Sequence, residues 1–288
     1  MVQSKKRLVL GYILLSGFAL LMVLPFIGMV FTALKASNEI YLANAFSFFP
    51  KAWRVANFVE AMKIAPWNRY FFNSFVVTSI AVIGSLFFNS FAGYSFARLK
   101  FPGRDFLFFF ILIGLMVPPQ VTIIPQFLIM RCIPFFGGNN WMGQGGTGWL
   151  DTYYALIVPA LSGSIGIFLC RQFYLGFPKS LDEAARIDGC SPFHAYFRIY
   201  MPASKPIYAS LGILKTVAVW NDFFYPLVMT NTEKMRTVQL GLQVFRSSGT
   251  VQWEYLMAAT TIVTIPVFIV FLCFQRYFVQ GVMTSGIK

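Results

Sequence analysis

The sequence predicts an all-α integral membrane protein with six transmembrane helices. Of its 288 residues, 57% are hydrophobic and only 11% are charged, which excludes an ordinary soluble domain. Several uncharged stretches are long enough to cross a bilayer. Because Lys and Arg cluster at the ends of these stretches, membrane topology explains the net charge of +13 better than nucleic-acid binding does.

The first predicted span is the uncharged stretch 8–34, which follows the basic run 5–7. A cleaved signal peptide has a shorter apolar region, so we expect an uncleaved helix that enters from the cytoplasm. Residues 35–70 then form a polar outer segment, whose Trp and Tyr side chains suit the membrane–water interface. We therefore divide the chain into 1–70, the first span with its outer segment, and 71–288, a core of five spans.

Five further spans are predicted after residue 70. Their ranges are 71–97, 106–130, 153–171, 206–229 and 256–274. Six spans place both termini in the cytoplasm, and the basic turn 98–104 agrees with that orientation. Asn73, Asn89 and several small residues of the second span favour helix–helix contact. In the fourth span, the small pair Ser162 and Gly166 allows another helix to approach closely.

Prolines interrupt the third predicted span at Pro118, Pro119 and Pro125. Inside a membrane helix they are tolerated where neighbouring groups or water bind the freed carbonyls, so we expect this helix to face protein or a cavity. The glycine-rich stretch 137–148 follows, but it lacks the Lys-Ser/Thr pair and the preceding strand of a phosphate loop. We therefore predict a flexible outer loop and no ATP site on this chain.

The longest polar interruption is the segment 180–202, SLDEAARIDGCSPFHAYFRIYMP. It predicts two short helices joined by a hinge. Ser180 and Glu183 have the spacing of a capping box, which marks the start of the first helix. Gly189 supplies the left-handed residue with which a helix often ends.

The second helix of this segment should begin with Ser191 as its cap and Pro192 at its first position, and it should end at Pro202. His194 lies within it, without the three or four ligands of a metal site. Cys190 is not placed to form a nucleophilic pair with that histidine. We therefore expect no catalytic, metal or cofactor site, and we interpret His194 as a solvated or docking-surface residue.

The segment 180–202 resembles the EAA loop of bacterial ABC-importer permeases. The matching residues are Glu183, Ala184, Ala185, Asp188, Gly189, Ile199 and Pro202. Residues 94–105 and 220–227 resemble the carbohydrate-importing branch of this family, of the maltose/oligosaccharide type. The resemblance implies the type-I importer (MetI-like) permease fold, in which the loop is a cytoplasmic coupling helix pair seated in a cleft of the ATPase.

The resemblance also implies partners and a location. These are a second, homologous permease in a heterodimer, an ATPase dimer that binds ATP and Mg, an extracytoplasmic solute-binding protein, a sugar solute and the lipid of the bacterial cytoplasmic membrane. A permease for peptides or amino acids would share the EAA loop but lack the sugar-branch segments. A stand-alone secondary carrier would show inverted repeats, and the sequence has no convincing internal repeat.

Trp220, Asn221 and Asp222 lie inside the fifth predicted span, with Lys215 nearly two turns earlier. An ionisable residue is costly in lipid, so the default expectation is that it faces an aqueous pathway. Amide and carboxylate groups can bind sugar hydroxyls, and an indole ring offers a flat apolar face. The alternative is a structural ion pair or a hydrogen bond between helices, and the sequence leaves both open.

Overall fold

The computed structural model describes the backbone of residues 5–41, 48–247 and 250–285, and the side chains of 8–40, 48–246 and 250–275. The chain forms two compact units. The first contains Met1–Trp67 with Gly241–Ile265, and the second contains Asn68–Leu240 with Pro266–Lys288. The division drawn at residue 70 concerns membrane topology and stays a prediction.

The described chain is mostly helical, as predicted. Its α-helices are α1 (Lys5–Ala33), α2 (Ser37–Tyr41), α3 (Ala56–Lys63), α4 (Trp67–Arg98), α5 (Arg104–Met116), α6 (Pro119–Arg131), α7 (Tyr153–Ile157), α8 (Ser164–Leu175), α9 (Ser180–Ile187), α10 (Pro192–Ala195), α11 (Met201–Ala203), α12 (Lys205–Trp220), α13 (Phe224–Met229), α14 (Val238–Gly241) and α15 (Trp253–Ser285). Three 3-10 turns, Val158–Leu161, Glu233–Met235 and Leu242–Phe245, and a π-helix, Tyr196–Tyr200, lie between them. Two short strands, β1 (Arg246–Ser247) and β2 (Thr250–Val251), pair antiparallel.

Four helical stretches of the described chain are long and apolar enough to cross a membrane. They are Leu8–Ala33, Trp67–Arg98, Tyr153–Leu175 and Trp253–Gln275, which correspond to the first, second, fourth and sixth predicted spans. The pair α5 and α6 adds a fifth if it is counted as one span, although it is bent by 109°. Six spans are therefore not confirmed.

The third predicted span breaks at its paired prolines. Val117, which precedes Pro118, takes an extended conformation with ψ 119°, and Pro118 itself has ψ 134°. A residue before proline is disfavoured in the helical region, so consecutive prolines at 118 and 119 end one helix and begin another. Pro119 occupies the first turn of α6, where its missing N–H costs no hydrogen bond.

The fifth predicted span, 206–229, is also divided. The helix α12 ends at Trp220, and α13 begins at Phe224. Pro226 explains the break, because a proline removes the hydrogen bond to the carbonyl four residues earlier and its ring clashes with that carbonyl. The Asp222 carboxylate also favours the break, because it accepts a hydrogen bond from the backbone N–H of Tyr225 at 3.1 Å.

The first unit is held together by a few specific polar contacts. The Asn57 amide donates to the carbonyls of Ala33 and Lys35, both at 2.8 Å, and is itself buried. Trp67, which is 3% exposed, donates its indole N–H to a backbone carbonyl of α3 and stacks on the Phe245 ring. Thus Trp67 anchors the core of this unit, whereas an interfacial position was predicted for the tryptophans of 35–70.

In the second unit, α4 and α8 approach closely through small residues. Asn89 of α4 accepts hydrogen bonds from the Ser162 hydroxyl and the Gly163 N–H, at 3.2 and 3.0 Å. A Cβ atom added to Gly166 would lie 2.3 Å from the Asn89 amide nitrogen. The predicted contact role of Asn89, Ser162 and Gly166 is therefore confirmed.

The glycine-rich loop that follows α6 is built from hydrogen-bonded turns. Asn139, which is buried, donates to the carbonyls of Arg131 and Ile133 and accepts the Gly146 N–H at 2.8 Å. Five glycines of the loop have positive φ angles, at positions 137, 138, 143, 145 and 148. These glycines therefore allow the loop to take backbone conformations that other residues rarely adopt.

Replacing Gly93 with Ala should destabilise the second unit. The added Cβ would lie 2.5 Å from the Cys170 Cβ and 2.8 Å from the Arg171 nitrogen, so the backbone of α8 would have to move. We expect a loss of about 1–3 kcal/mol, measured as a lower midpoint of thermal unfolding in detergent. Gly212→Ala is the matched control, because its nearest contact would be at an ordinary 3.8 Å. Equal midpoints for the two variants would contradict the close packing of α4 and α8.

Candidate functional site

The helix α9 begins without the predicted capping box. Its first turn is already formed at Lys179, whose carbonyl accepts the N–H groups of Asp182 and Glu183 at 3.0 and 3.2 Å. Within the described part of the chain, no side chain caps this end of the helix. Since the Glu183 N–H is used by Lys179, the predicted exchange between Ser180 and Glu183 is wrong.

The hinge after α9 is formed as predicted. Gly189 has φ +70°, and its N–H donates to the Arg186 carbonyl at 3.0 Å. The N–H of Cys190 donates to the Ala185 carbonyl at 2.8 Å. These two bonds make a Schellman motif, which satisfies the last carbonyls of α9 and reverses the chain at a left-handed residue.

The second helical segment, 192–203, starts as predicted but ends differently. The Ser191 hydroxyl accepts the His194 N–H at 3.3 Å, and Pro192 occupies the first turn. Pro202 does not end the segment, because helical structure continues to Ala203. The π-helix 196–200 precedes Pro202, and its wider turn accommodates the missing N–H and the bulky ring. We call α9 together with the segment 192–203 the coupling helix pair.

Buried tyrosines attach the coupling helix pair to the membrane helices. Four tyrosines that are each at most 3% exposed pack in one cluster: Tyr94 of α4, Tyr174 of α8, and Tyr196 and Tyr200 of the pair. The Tyr94 hydroxyl donates to the Pro192 carbonyl at 3.0 Å. Each hydroxyl of a buried tyrosine needs a partner, so these contacts fix the pair in one position.

A chain of hydroxyl groups extends this attachment to α12. The Ser90 hydroxyl lies within hydrogen-bond distance of the Tyr196 and Tyr208 hydroxyls. The Ser204 hydroxyl, between α11 and α12, donates to the Tyr174 hydroxyl at 2.9 Å. Fully satisfied buried polar networks rigidify the elements that they join.

A further attachment is an ion pair that the sequence did not predict. The Arg98 guanidinium, 6% exposed, lies 3.1 Å from the Asp182 carboxylate and donates to the Tyr200 hydroxyl and the Pro178 carbonyl, both at 2.9 Å. Tyr200 in turn donates to Asp182, and burial together with this bond raises the pKa of its phenol to about 12. We call these residues the Arg98–Asp182–Tyr200 lock.

The predicted coupling residues divide between the two faces of the pair. Five of them are exposed, namely Glu183, Ala184, Asp188, Gly189 and Pro202. Ile199 is half-buried, and Ala185 is buried, with 4% of its surface exposed. Ile187 is 86% exposed and Phe193 is 58% exposed, so the outer face also carries large apolar side chains. The outer face is therefore exposed, and the inner face carries the lock and the tyrosine cluster.

The predicted path residues lie at the break between α12 and α13. Trp220 is 5% exposed, and its ring centroid lies 6.3 Å from that of Phe71. Asn221 is exposed, and its side-chain oxygen accepts the Gln239 amide at 2.9 Å. The break thus brings one exposed amide and one carboxylate, Asp222, to the same turn, while the indole packs inside the unit.

Replacing Asp182 with Asn should destabilise the chain, whereas replacing the neighbouring Glu183 with Gln should not. The first change leaves the buried Arg98 without its carboxylate, and we expect a loss of about 1–3 kcal/mol. The second changes an exposed side chain and should stay within about 0.5 kcal/mol. Thermal unfolding of the purified chain in detergent measures both. A larger effect for Glu183→Gln would refute the lock.

The chain is similar to several known proteins over nearly its whole length. It is 34% identical, over 92% of its length and 83% of the relative's, to the probable ABC transporter permease protein YurM of Bacillus subtilis. It is 32% identical, over 100% of both, to the arabinooligosaccharides transport system permease protein AraQ of Halalkalibacterium halodurans. It is 29% identical, over 96% of both, to the sn-glycerol-3-phosphate transport system permease protein UgpE of Brucella suis.

A solved structure shares the fold. A chain of a bacterial ABC transporter involved in the import of the acidic polysaccharide alginate superposes with a TM-score of 0.76, at 22% identity, over 96% of this chain and 99% of that one. The model of the family described as binding-protein-dependent transport system inner membrane component matches residues 85–284, which include the coupling helix pair. The chain belongs to this family, the inner-membrane permease components of ABC transporters, and it has their MetI-like fold.

Proposed function

We propose that this chain is a permease subunit of an ATP-driven importer for a sugar or oligosaccharide. The observation that carries the proposal is the coupling helix pair, whose outer face is exposed while its inner face is locked to α4. Such a pair can bind a moving partner and transmit its motion. The solute class is supported by relatives that are named for arabinooligosaccharides, and by a fold shared with an alginate importer.

The partners of this subunit follow from its role. A separate ATPase dimer binds ATP and Mg and contacts the outer face of the pair, where Glu183 supplies a polar contact and Ile187 an apolar one. A second, homologous permease forms the other half of the path, and an extracytoplasmic binding protein delivers the solute. The coupling helix pair and both termini face the cytoplasm, and this chain holds no cofactor of its own.

Transport proceeds by rigid-body movement in this proposal. When the ATPase subunits close on ATP, they move the coupling helix pair. The Arg98–Asp182–Tyr200 lock passes the movement to the end of α4, and the hydroxyl network passes it to α8 and α12. Packed interfaces of this kind switch between discrete arrangements, which open the path to one side of the membrane and then to the other.

The break between α12 and α13 is our candidate for the solute path. Asn221 is exposed there, and Asp222 is half-buried beside it, so both can bind solute hydroxyl groups. Irregular backbone at membrane depth is tolerated where it lines a cavity. Trp220 supports this turn from inside the unit, by packing against Phe71.

The proposal is tested by purifying the tagged chain from its native membrane in a mild detergent and identifying the polypeptides that come with it. A second permease together with a soluble ATPase is the expected result. Reconstituting that complex with its binding protein then allows uptake of labelled oligosaccharides to be compared with uptake of peptides. Recovery of this chain alone, under conditions that preserve a known importer complex, would refute the subunit assignment.

Replacing Gly189 with Val should uncouple ATP hydrolysis from transport. The backbone at this hinge has φ +70°, which costs an L-residue roughly 1–2 kcal/mol and a β-branched one at least that much. An added Cβ would meet no atom of the described residues within 4 Å, so the effect is conformational rather than steric. The measurement is the ratio of solute transported to ATP hydrolysed in proteoliposomes.

Two controls accompany that variant. Gly189→Asn should keep most of the coupling, because Asn tolerates the left-handed region. Gly103→Val introduces the same strain at another turn, with φ +79° and nothing within 4 Å, and should change coupling much less. Normal coupling in Gly189→Val would contradict the hinge.

Replacing Asp222 with Asn should weaken transport without unfolding the chain. The amide oxygen can still accept the Tyr225 N–H, so the turn is preserved, but the charge and its two acceptor oxygens are changed. We expect reduced uptake and unchanged basal ATP hydrolysis, each measured in proteoliposomes. Uptake equal to that of the unmodified importer would remove Asp222 from the solute path.

A further inference from the structure

An open groove runs along one face of α12, from Lys205 to Thr216, and ends before the break that follows Trp220. It has a volume of about 370 Å³ and is lined by residues of α4, α12 and the second half of α15. The α12 residues that line it recur every three or four positions from Lys205 to Thr216, so they share one helix face. Leu86 and Phe274 contribute apolar side chains to the walls of the groove. Gly212 has no side chain, so it leaves the floor of the groove open.

The dimensions of the groove fit one extended hydrocarbon chain. From Lys205 to Thr216 the helix rises about 16 Å, which is half of the roughly 30 Å hydrocarbon core and therefore about one leaflet. One extended acyl chain spans about the same length, one leaflet of the hydrocarbon core.

The charge of the groove is concentrated at one end. Lys205 is exposed at its mouth, and no acidic side chain is among the described residues that line it. Lys205 directly follows the coupling helix pair, which places the mouth at the level of the cytoplasmic head groups if that pair faces the cytoplasm. Basic pockets between membrane helices on this side suit anionic lipid head groups.

We propose that the groove binds an anionic phospholipid of the cytoplasmic leaflet, with one acyl chain along α12 and the phosphate beside Lys205. The choice of leaflet rests on the proposed function, but the selectivity for an anionic head group does not. The lipid would contact Tyr208, which lines the groove and whose hydroxyl belongs to the network that joins the coupling helix pair to α4. Lipid binding would therefore affect the hydroxyl network through which, in the proposed function, the movement of the coupling helix pair is transmitted.

The test is native mass spectrometry of the complete importer, purified with this chain and given equal amounts of dioleoyl phosphatidylglycerol and dioleoyl phosphatidylcholine. We expect bound phosphatidylglycerol in excess. Lys205→Gln should lower the ratio of the two lipids about fivefold, the effect of one cation near the surface. Lys205→Arg should keep the ratio. Gly212→Leu should reduce the binding of both lipids, because its side chain fills the floor of the groove.

Lys100→Gln is the matched control, since Lys100 is an exposed cation of the basic turn outside the groove. An equal fall in the ratio for Lys100→Gln and Lys205→Gln would show general surface charge and overturn the proposal. A photo-crosslinker placed at Ala209 should label phospholipid, and labelling of the second permease instead would also overturn it. Either failure would leave the co-purification and uptake tests of the proposed function unaffected.

Discussion

The ion pair between Arg98 and Asp182 is the interaction on which the position of the coupling helix pair depends. A guanidinium that is only 6% exposed is tolerated because three partners surround it, namely the Asp182 carboxylate, the Tyr200 hydroxyl and the Pro178 carbonyl. Removing one member of such a group leaves a buried charge uncompensated. The lock therefore gives a short polar segment one orientation at the end of α4.

Because of this attachment, the coupling helix pair has a buried inner face and an exposed outer face, and the two faces have different roles. On the inner face, Tyr196 and Tyr200 are buried against residues of α4 and α8, and they carry the connection to the rest of the unit. The outer face keeps Glu183 and Ile187 exposed. Because the Schellman turn at Gly189 fixes the angle between the two helical segments, a force applied to the outer face is applied to the whole pair.

Local features of this chain were predictable from the sequence, and contacts between distant residues were not. The positive φ of Gly189 and the Ser191 cap follow from residue type and spacing alone. The partner of Asp182 could not be predicted, because Arg98 looked like an ordinary cation of a cytoplasmic turn. The break before α13 could have been predicted, since Pro226 stood inside the proposed fifth span.

The central claim is that the coupling helix pair and the end of α4 move as one body. Spin labels at two exposed positions, Lys100 beside α4 and Arg186 on α9, allow their distance to be measured in the complete importer with and without ATP. An unchanged distance between the two states is the predicted result. A change of more than about 5 Å, the scale of a one-turn shift of one element past another, would contradict the account.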